Sequence, residues 1–258
     1  MHTIKERVCV VTGAAKSIGF AVAERYCKDG ATVILLDVNP EVEKSAATLW
    51  EQGYDAKGYV VDITDRNAVK ETFRKIHAEH PTVYSLVNVA GLSSQNPIED
   101  VTPEEWDKIM KVNVYGAFYC IQEVIGDMKE AKEGKIINFS SKSGKTGSAL
   151  MVPYSSAKGA IIAMTQAIAY EVAPFNINVN CICPGITDHT GVWSAVSAGY
   201  IKNLHMERDK VVDKFTAKVP LGRLTSIEDV VDFVEFLTVS GDYCTGQAFN
   251  VSGGREMH

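Results

Sequence analysis

The chain has 258 residues, with 32 acidic against 26 basic side chains and a formal net charge of -6 at pH 7. That length suits one large core, and the acidic balance, without a long basic run interleaved with aromatics, argues against nucleic acid as a partner. No apolar stretch approaches the ~20 residues of a membrane span and Met1 to Arg7 lacks a signal-peptide core, so no membrane is expected and the expected location is cytoplasmic.

In chain order, short β-branched runs predict strands at 8–12, 32–37, 56–61, 84–88, 135–139, 177–182 and 248–251. Between them, periodic segments predict helices at 18–28, 41–51, 67–79, 103–129, 154–173 and 227–237. Strand and helix alternating in this way imply parallel strands joined by right-handed crossovers, hence a doubly wound α/β sheet covered by helices on both faces. One domain spanning 1–258 is expected, with a strand-free segment at about 186–223 as a helical substrate lid carrying His189, Val192, Trp193, Tyr200 and His205. The six cysteines, Cys9, Cys27, Cys120, Cys181, Cys183 and Cys244, show no paired metal spacing, which predicts free thiols and no metal site. His258 and Met257 at the carboxyl end are expected as a disordered tail, a reach into a neighbouring subunit's pocket being the other reading.

The first strand runs into the small-residue turn Gly13-Ala14-Ala15-Lys16-Ser17-Ile18-Gly19 and then a helix, an arrangement that presents backbone N–H groups to a pyrophosphate. Asp37 closes the second strand about 20 residues on, where a carboxylate accepts from a ribose 2′-hydroxyl and repels a 2′-phosphate, so the cofactor expected is NAD. Lys16 pulls toward a phosphate, but Val38 adds no second cation. Asp62 after the third strand either accepts from the adenine amino group or caps the helix after Thr64.

Tyr154 and Lys158 are four apart on a predicted helix, which places phenol and ammonium on one face. A tyrosine ordinarily ionises near pH ~10, and a base working near neutrality needs about 3 to 4 kcal/mol of help, which Lys158 is placed to supply. Ser141 follows the fifth strand, where its hydroxyl would hold a substrate oxygen.

With the glycine turn, Asp37, Asn88-Val89-Ala90-Gly91, Asn113, Ser141, Tyr154, Lys158 and Pro184-Gly185 all in order, the chain resembles the short-chain dehydrogenase/reductase family over essentially its whole length. The resemblance implies a Rossmann-like seven-stranded sheet, a nicotinamide cofactor, and a catalytic set carried onto Asn113, Ser141, Tyr154 and Lys158. It implies that Tyr154 takes the proton of a secondary alcohol as hydride leaves, that Lys158 also binds the nicotinamide ribose, and that Asn113 holds a proton-passing water; satisfying backbone groups at a helix bend is the other reading of Asn113. It also implies homodimers or homotetramers built partly on the long helices after strands four and five. Ser17 stands where the family's middle glycine would be, Val89 replaces a usual asparagine, and Thr187 and Thr190 are both open as partners of the nicotinamide carboxamide. Asn88 and Pro184 complete the expected cofactor contacts.

The segments 140–148 and 242–247 resemble the sorbitol-6-phosphate 2-dehydrogenase branch, and 184–188 resembles polyol and acetoin dehydrogenases. A polyol or hydroxyketone substrate follows, with Ser141, Lys142, Ser143, Tyr154 and Trp193 bordering it, and with Lys142, Ser143 and Lys145 facing hydroxyls or a terminal phosphate. Solvated turn lysines are the plainer reading of Lys142 and Lys145, and packing of the lid is that of Trp193. Reduction of a small diketone such as diacetyl, and a catalytically silent NAD-binding sensor, are the competing functions.

Overall fold

The computed structural model describes residues 3–188, 190, 193 and 207–257. Its seven strands, β1 (Val8–Thr12), β2 (Thr32–Asp37), β3 (Ala56–Val60), β4 (Ser85–Asn88), β5 (Gly134–Phe139), β6 (Ile177–Pro184) and β7 (Ala248–Val251), form one sheet in the order β3-β2-β1-β4-β5-β6-β7. Every neighbouring pair is parallel. This is the doubly wound sheet expected, with its reversal of strand order between β1 and β4.

The inner strands bury both faces. In β1, Cys9 and Val11 enter one apolar cluster and Val10 the other; in β2, Val33 and Leu35 part from Ile34 and Leu36; in β5, Ile137 parts from Ile136. Period-two alternation therefore separates two apolar faces rather than apolar from polar, which is why the strands read as continuous β-branched runs. One face is covered by α1 (Ser17–Lys28), α2 (Glu41–Glu51) and a late helix, Ile227–Val239. The other is covered by α3 (Arg66–Glu79), α5 (Gly116–Ala131) and α7 (Val152–Val172).

The single helix expected at 103–129 is in fact three pieces: α4 (Pro103–Met110), a π-helical turn Lys111–Tyr115, and α5. Apolar periodicity runs through the widened turn without a break, which hides it from the sequence. The five-residue α6 (Lys142–Thr146) was not expected either, because Lys-Ser-Gly-Lys-Thr has no apolar stripe. In the lid region the described residues include α8 (Arg208–Thr216), followed by α9 (Ile227–Val239), whose Ser226 and Asp229 form a reciprocal capping box. Val192, His189, Tyr200, His205 and His258 lie outside the described residues. No helix among the described residues is long and apolar enough to cross a membrane.

Candidate active site

A cavity of about 1280 Å³ opens at the carboxyl ends of β1, β2, β4, β5 and β6. It is larger than a pocket for one small molecule. One part is built on the turn between β1 and α1. Gly13 has φ +66°, and a Cβ there would come within 2.8 Å of the Ala90 backbone; at Gly19 a Cβ would meet the Gly13 carbonyl at 2.2 Å. Side chains are thus excluded where the turn must approach β4 and where α1 must start close to it. Ser17 itself sits at φ +56°, the left-handed region that favours glycine, so a serine holds that conformation here.

The first turn of α1 carries neither a side-chain cap nor an acidic residue, and the buried Ser17 hydroxyl has no hydrogen-bond partner. Open N–H groups, a positive helix end and an orphaned hydroxyl beside a cradle of glycines fit a pyrophosphate. Asp37 lines the same part of the cavity. Its two oxygens accept from Ala15 N (3.0 Å) and Asn39 N (2.9 Å), which fixes the carboxylate and joins β2 to the turn. Lys16 and Ile18 line the cavity, and Lys16 is exposed.

Ala15, by contrast, is not in the wall: its N–H is taken by Asp37. Asn88 also stands behind the wall, where its Nδ2 donates to Asn138 Oδ1 (2.9 Å) and Asn138 Nδ2 to Thr165 Oγ1 (3.0 Å). Val89, Ala90 and Gly91 line the cavity in its place. Asp62 lines it too, with Oδ1 accepting from Thr64 N (2.9 Å) and Thr64 Oγ1 (2.8 Å). The cap of α3 is not Asp62 but Asp65, which accepts from Asn67 and Ala68.

Tyr154 and Lys158 share one face of α7, the ammonium 5.6 Å from the ring centroid. Lys158 Nζ donates to the Phe139 carbonyl at 2.7 Å, and burial lowers its pKa to about 8 against the opposing influence of Cys181 and Cys183. Tyr154 is also buried, and here the expectation of a lowered pKa is reversed. Burial pushes the phenol up to about 12, a hydrogen bond with Ser141 pulls it down, and Cys183 adds to the rise. Desolvation outweighs any help from Lys158, whose charge is turned toward a main-chain oxygen.

Ser141 is placed by how α6 docks on α7. A Cβ on Gly144 would fall 2.6 Å from the backbone carbonyl carbon of Lys158, and Ser140 Oγ donates to the Lys158 carbonyl (2.8 Å). This close approach seats Ser141 beside Tyr154 as the cap of α6, its Oγ accepting from Ser143 N (3.1 Å). Ser143 lines the cavity, but its hydroxyl pairs with Ser148 Oγ at 2.8 Å. Lys142 lines it as well, donating to the Gly147 carbonyl at 3.2 Å. Lys145 is not in the wall.

Asn113 is buried in the π-helical turn behind the wall. Its Nδ2 donates to the carbonyls of Leu92 (2.7 Å) and Ile109 (2.9 Å), and its Oδ1 accepts from Leu92 N (3.4 Å). The amide thus holds the loop after β4 to the bend. Oδ1 and Lys158 Nζ both approach Gly91, within 3.0 and 3.3 Å of where a Cβ would stand.

Pro184, Thr187 and Thr190 line the cavity beyond β6. Thr190 Oγ1 donates to the Thr187 carbonyl (2.9 Å) and accepts from Trp193 N (3.1 Å), whereas the Thr187 hydroxyl has a 3.4 Å contact with Gly185 O. Trp193 is buried in an apolar cluster with Tyr154, Met151, Ile109, Ala157 and Phe215, meeting Phe215 edge-on at 5.9 Å. Its Nε1 is buried without a partner among the described residues, and it lines the cavity. Packing of the lid and a place in the wall are therefore one arrangement. Sequence reasoning missed Met151, Phe215, Lys214, Lys218 and Arg255, which also line the cavity. Phe215 was detectable as the aromatic among the apolar residues of α8; nothing in the spacing pointed to Arg255.

A family model described as short chain dehydrogenase matches residues 7–200. The chain is 34% identical over 253 residues to the sorbitol dehydrogenase of Cereibacter sphaeroides, covering 97% of this chain and 98% of that protein. Among solved structures, an NAD+-bound xylitol dehydrogenase superposes with TM-score 0.92 at 31% identity, covering 97% of this chain and 99% of its own. A sorbitol-6-phosphate 2-dehydrogenase from Erwinia amylovora superposes with TM-score 0.92 at 30% identity, covering 97% and 100%. A parallel seven-stranded sheet with a glycine turn at one end of its cleft, and a tyrosine, lysine and serine gathered along it, coincides with these likenesses, and the chain belongs to the short-chain dehydrogenase family, whose members are oxidoreductases that bind a nicotinamide cofactor.

Proposed function

We propose that the protein is an NAD-dependent dehydrogenase that interconverts a secondary alcohol of a polyol and the corresponding ketone. The observation that carries this reading is the meeting of Ser141, Tyr154 and Lys158 in one cavity with Asp37 and the glycine turn. A bound nicotinamide supplies the two-electron acceptor. The turn N–H groups and Ser17 hold its pyrophosphate, and Asp37 and Lys158 its two riboses. Thr187, the less engaged of the two threonine hydroxyls, holds the carboxamide.

Ser141 donates to the substrate oxygen, and Tyr154 accepts its proton. Lys158, released from the Phe139 carbonyl toward the phenol, offsets the cost of the buried phenolate, and Asn113 keeps the loop after β4 in register with both. The choice of NAD rests on a fixed carboxylate at Asp37 beside an exposed Val38, where a second phosphate meets repulsion and Lys16 alone offsets it. The polyol rests on the sorbitol and xylitol dehydrogenases among the likenesses. Exposed Trp106 on α4, Tyr115 in the π-helical turn, Phe118 on α5 and Tyr170 on α7 support a homo-oligomer.

The direct assay is reduced-cofactor formation across free and phosphorylated hexitols, pentitols and small diols, with NAD and NADP in parallel. The expected result is a polyol turned over with kcat/KM at least ~100-fold higher for NAD. Preference for NADP removes the role given to Asp37, and turnover confined to small hydroxyketones removes the polyol.

A further inference from the structure

Beyond the reacting groups, the cavity wall carries a second set of charges. Lys142 on α6, Lys214 in α8, Lys218 just after α8 and Arg255 from the tail after β7 all line it. The tail is fixed there: Leu221 N donates to the Gly253 carbonyl (3.1 Å), Asn250 Nδ2 and Ser252 Oγ donate to the Glu256 carbonyl (3.1 and 3.4 Å), and Glu256 N donates to Ser252 Oγ (3.2 Å). These bonds hold the Arg255 guanidinium 5.3 Å from the ring centroid of Phe215, which packs with Trp193 and Tyr154.

The Arg255 side chain is 11% exposed, and among the described residues one acid answers it: Glu256 Oε1, 3.4 Å from Nε. Arg255 Nη1 is buried with no hydrogen-bond partner among the described residues. Burial together with the nearby cations Arg255 and Lys218 lowers the pKa of Lys142, Glu256 opposing. The acids that line the cavity stand on other elements, Asp37 and Asp62 after β2 and β3, and Glu104 and Asp107 on α4, where Lys108 and Lys111 accompany them. A group of like charges, half-buried at Arg255 and Lys142 and exposed at Lys214 and Lys218, with an unused guanidinium donor, is completed by an anion.

We propose that Arg255, with Lys142 and Lys218, forms a subsite for an oxyanion carried by the substrate away from the carbon that is oxidised, a phosphate monoester or a carboxylate. This rests on the alcohol-oxidising reading of Tyr154 and deepens it: the substrate is a polyol with an acidic end. Arg255 is a specificity residue, reading the substrate's far end with the planar fork that suits both anions.

The test compares kcat/KM of the NAD-saturated enzyme for a hexitol, its terminal phosphate and the aldonic acid of equal carbon number. One of the anions is expected to lead the hexitol by roughly 10- to 100-fold, and which one leads identifies the group. In Arg255→Met that ratio collapses toward one through a rise in KM, with kcat for the anion within about threefold. Lys218→Met, at an exposed position, lowers the ratio in the same direction and serves if Arg255→Met does not fold. Inorganic phosphate provides a readout free of turnover, raising the melting temperature of the NAD-saturated protein and doing so less in either variant. An enzyme with no preference for either anion and no response to phosphate overturns the subsite, as does a preference that both variants retain. If no polyol of any charge is turned over but phosphate still protects the unmodified protein and not the variants, the subsite stands and the polyol reading falls.

Discussion

As the proposed base, Tyr154 starts at a disadvantage, since burial holds its phenol near 12 before any ligand arrives. Its partner Lys158 is displaced in the other direction, to about 8, with its charge spent on a carbonyl. Replacing Tyr154 with Phe is expected to lower kcat by about 10² to 10⁴ while cofactor affinity, measured by fluorescence titration, stays within a few-fold; a variant retaining most of its kcat removes the assignment. The displaced lysine also leaves a mark on stability. Between pH 8 and 10.5 the unfolded chain keeps a proton that the folded lysine has released, so this group makes stability rise with pH across that window, its unfavourable contribution being fully present below it. Without cofactor, Lys158→Met should therefore gain most over the unmodified protein at pH 7 and less at pH 9.5 in urea unfolding. The spacing of Tyr154 and Lys158 was legible because it is local to one helix. That of Arg255 was not, since its role comes from Phe215, Lys142 and Lys218, which reach it only through the fold.

At the scale of elements, the short α6 shows how a backbone contact sets the distance between two side chains proposed to react. Gly144 lies where a methyl group would strike the Lys158 carbonyl, so Gly144→Ala is expected to push α6 off α7, costing about 1 to 3 kcal/mol and shifting Ser141 from Tyr154. Kinetics should show a kcat loss of tenfold or more, with a lowered urea midpoint; a variant equal to the parent in both refutes the account. The inner strands were readable in advance because their β-branched runs fill two apolar faces, as in β1, β2 and β5, whereas the edge strands β3 and β7 are only partly buried. Helix α6 was not, since five residues held by Ser140, Ser141 and Gly144 carry no periodic signal. The split of 103–129 was equally hidden, because it arises from the geometry of one turn and not from its composition.

Across the whole molecule, two apolar layers and one cavity account for most of the chain, while a band of rings faces outward. Tyr115, Phe118 and Trp106 are exposed, and Tyr170 is 88% exposed, with Tyr119 touching Tyr115 and Phe118 at 6.3 and 5.9 Å between centroids. If this band is covered by a second copy, light scattering on the purified protein should return a multiple of 28.1 kDa, and Phe118→Glu should reduce it. A parent protein that scatters as a single chain refutes the assembly.

The π-helical turn ties these outward rings to the cleft. Each residue of a helix turns its successors by about 100° and advances them by about 1.5 Å, so the extra residue stored in Lys111–Tyr115 sets the bearing of α5 while it aims Asn113 at Leu92. Losing a single codon there would swivel the aromatic band round the helix axis and unfasten the loop beside Lys158, so the proposed self-association and the proposed turnover would fail in the same stroke.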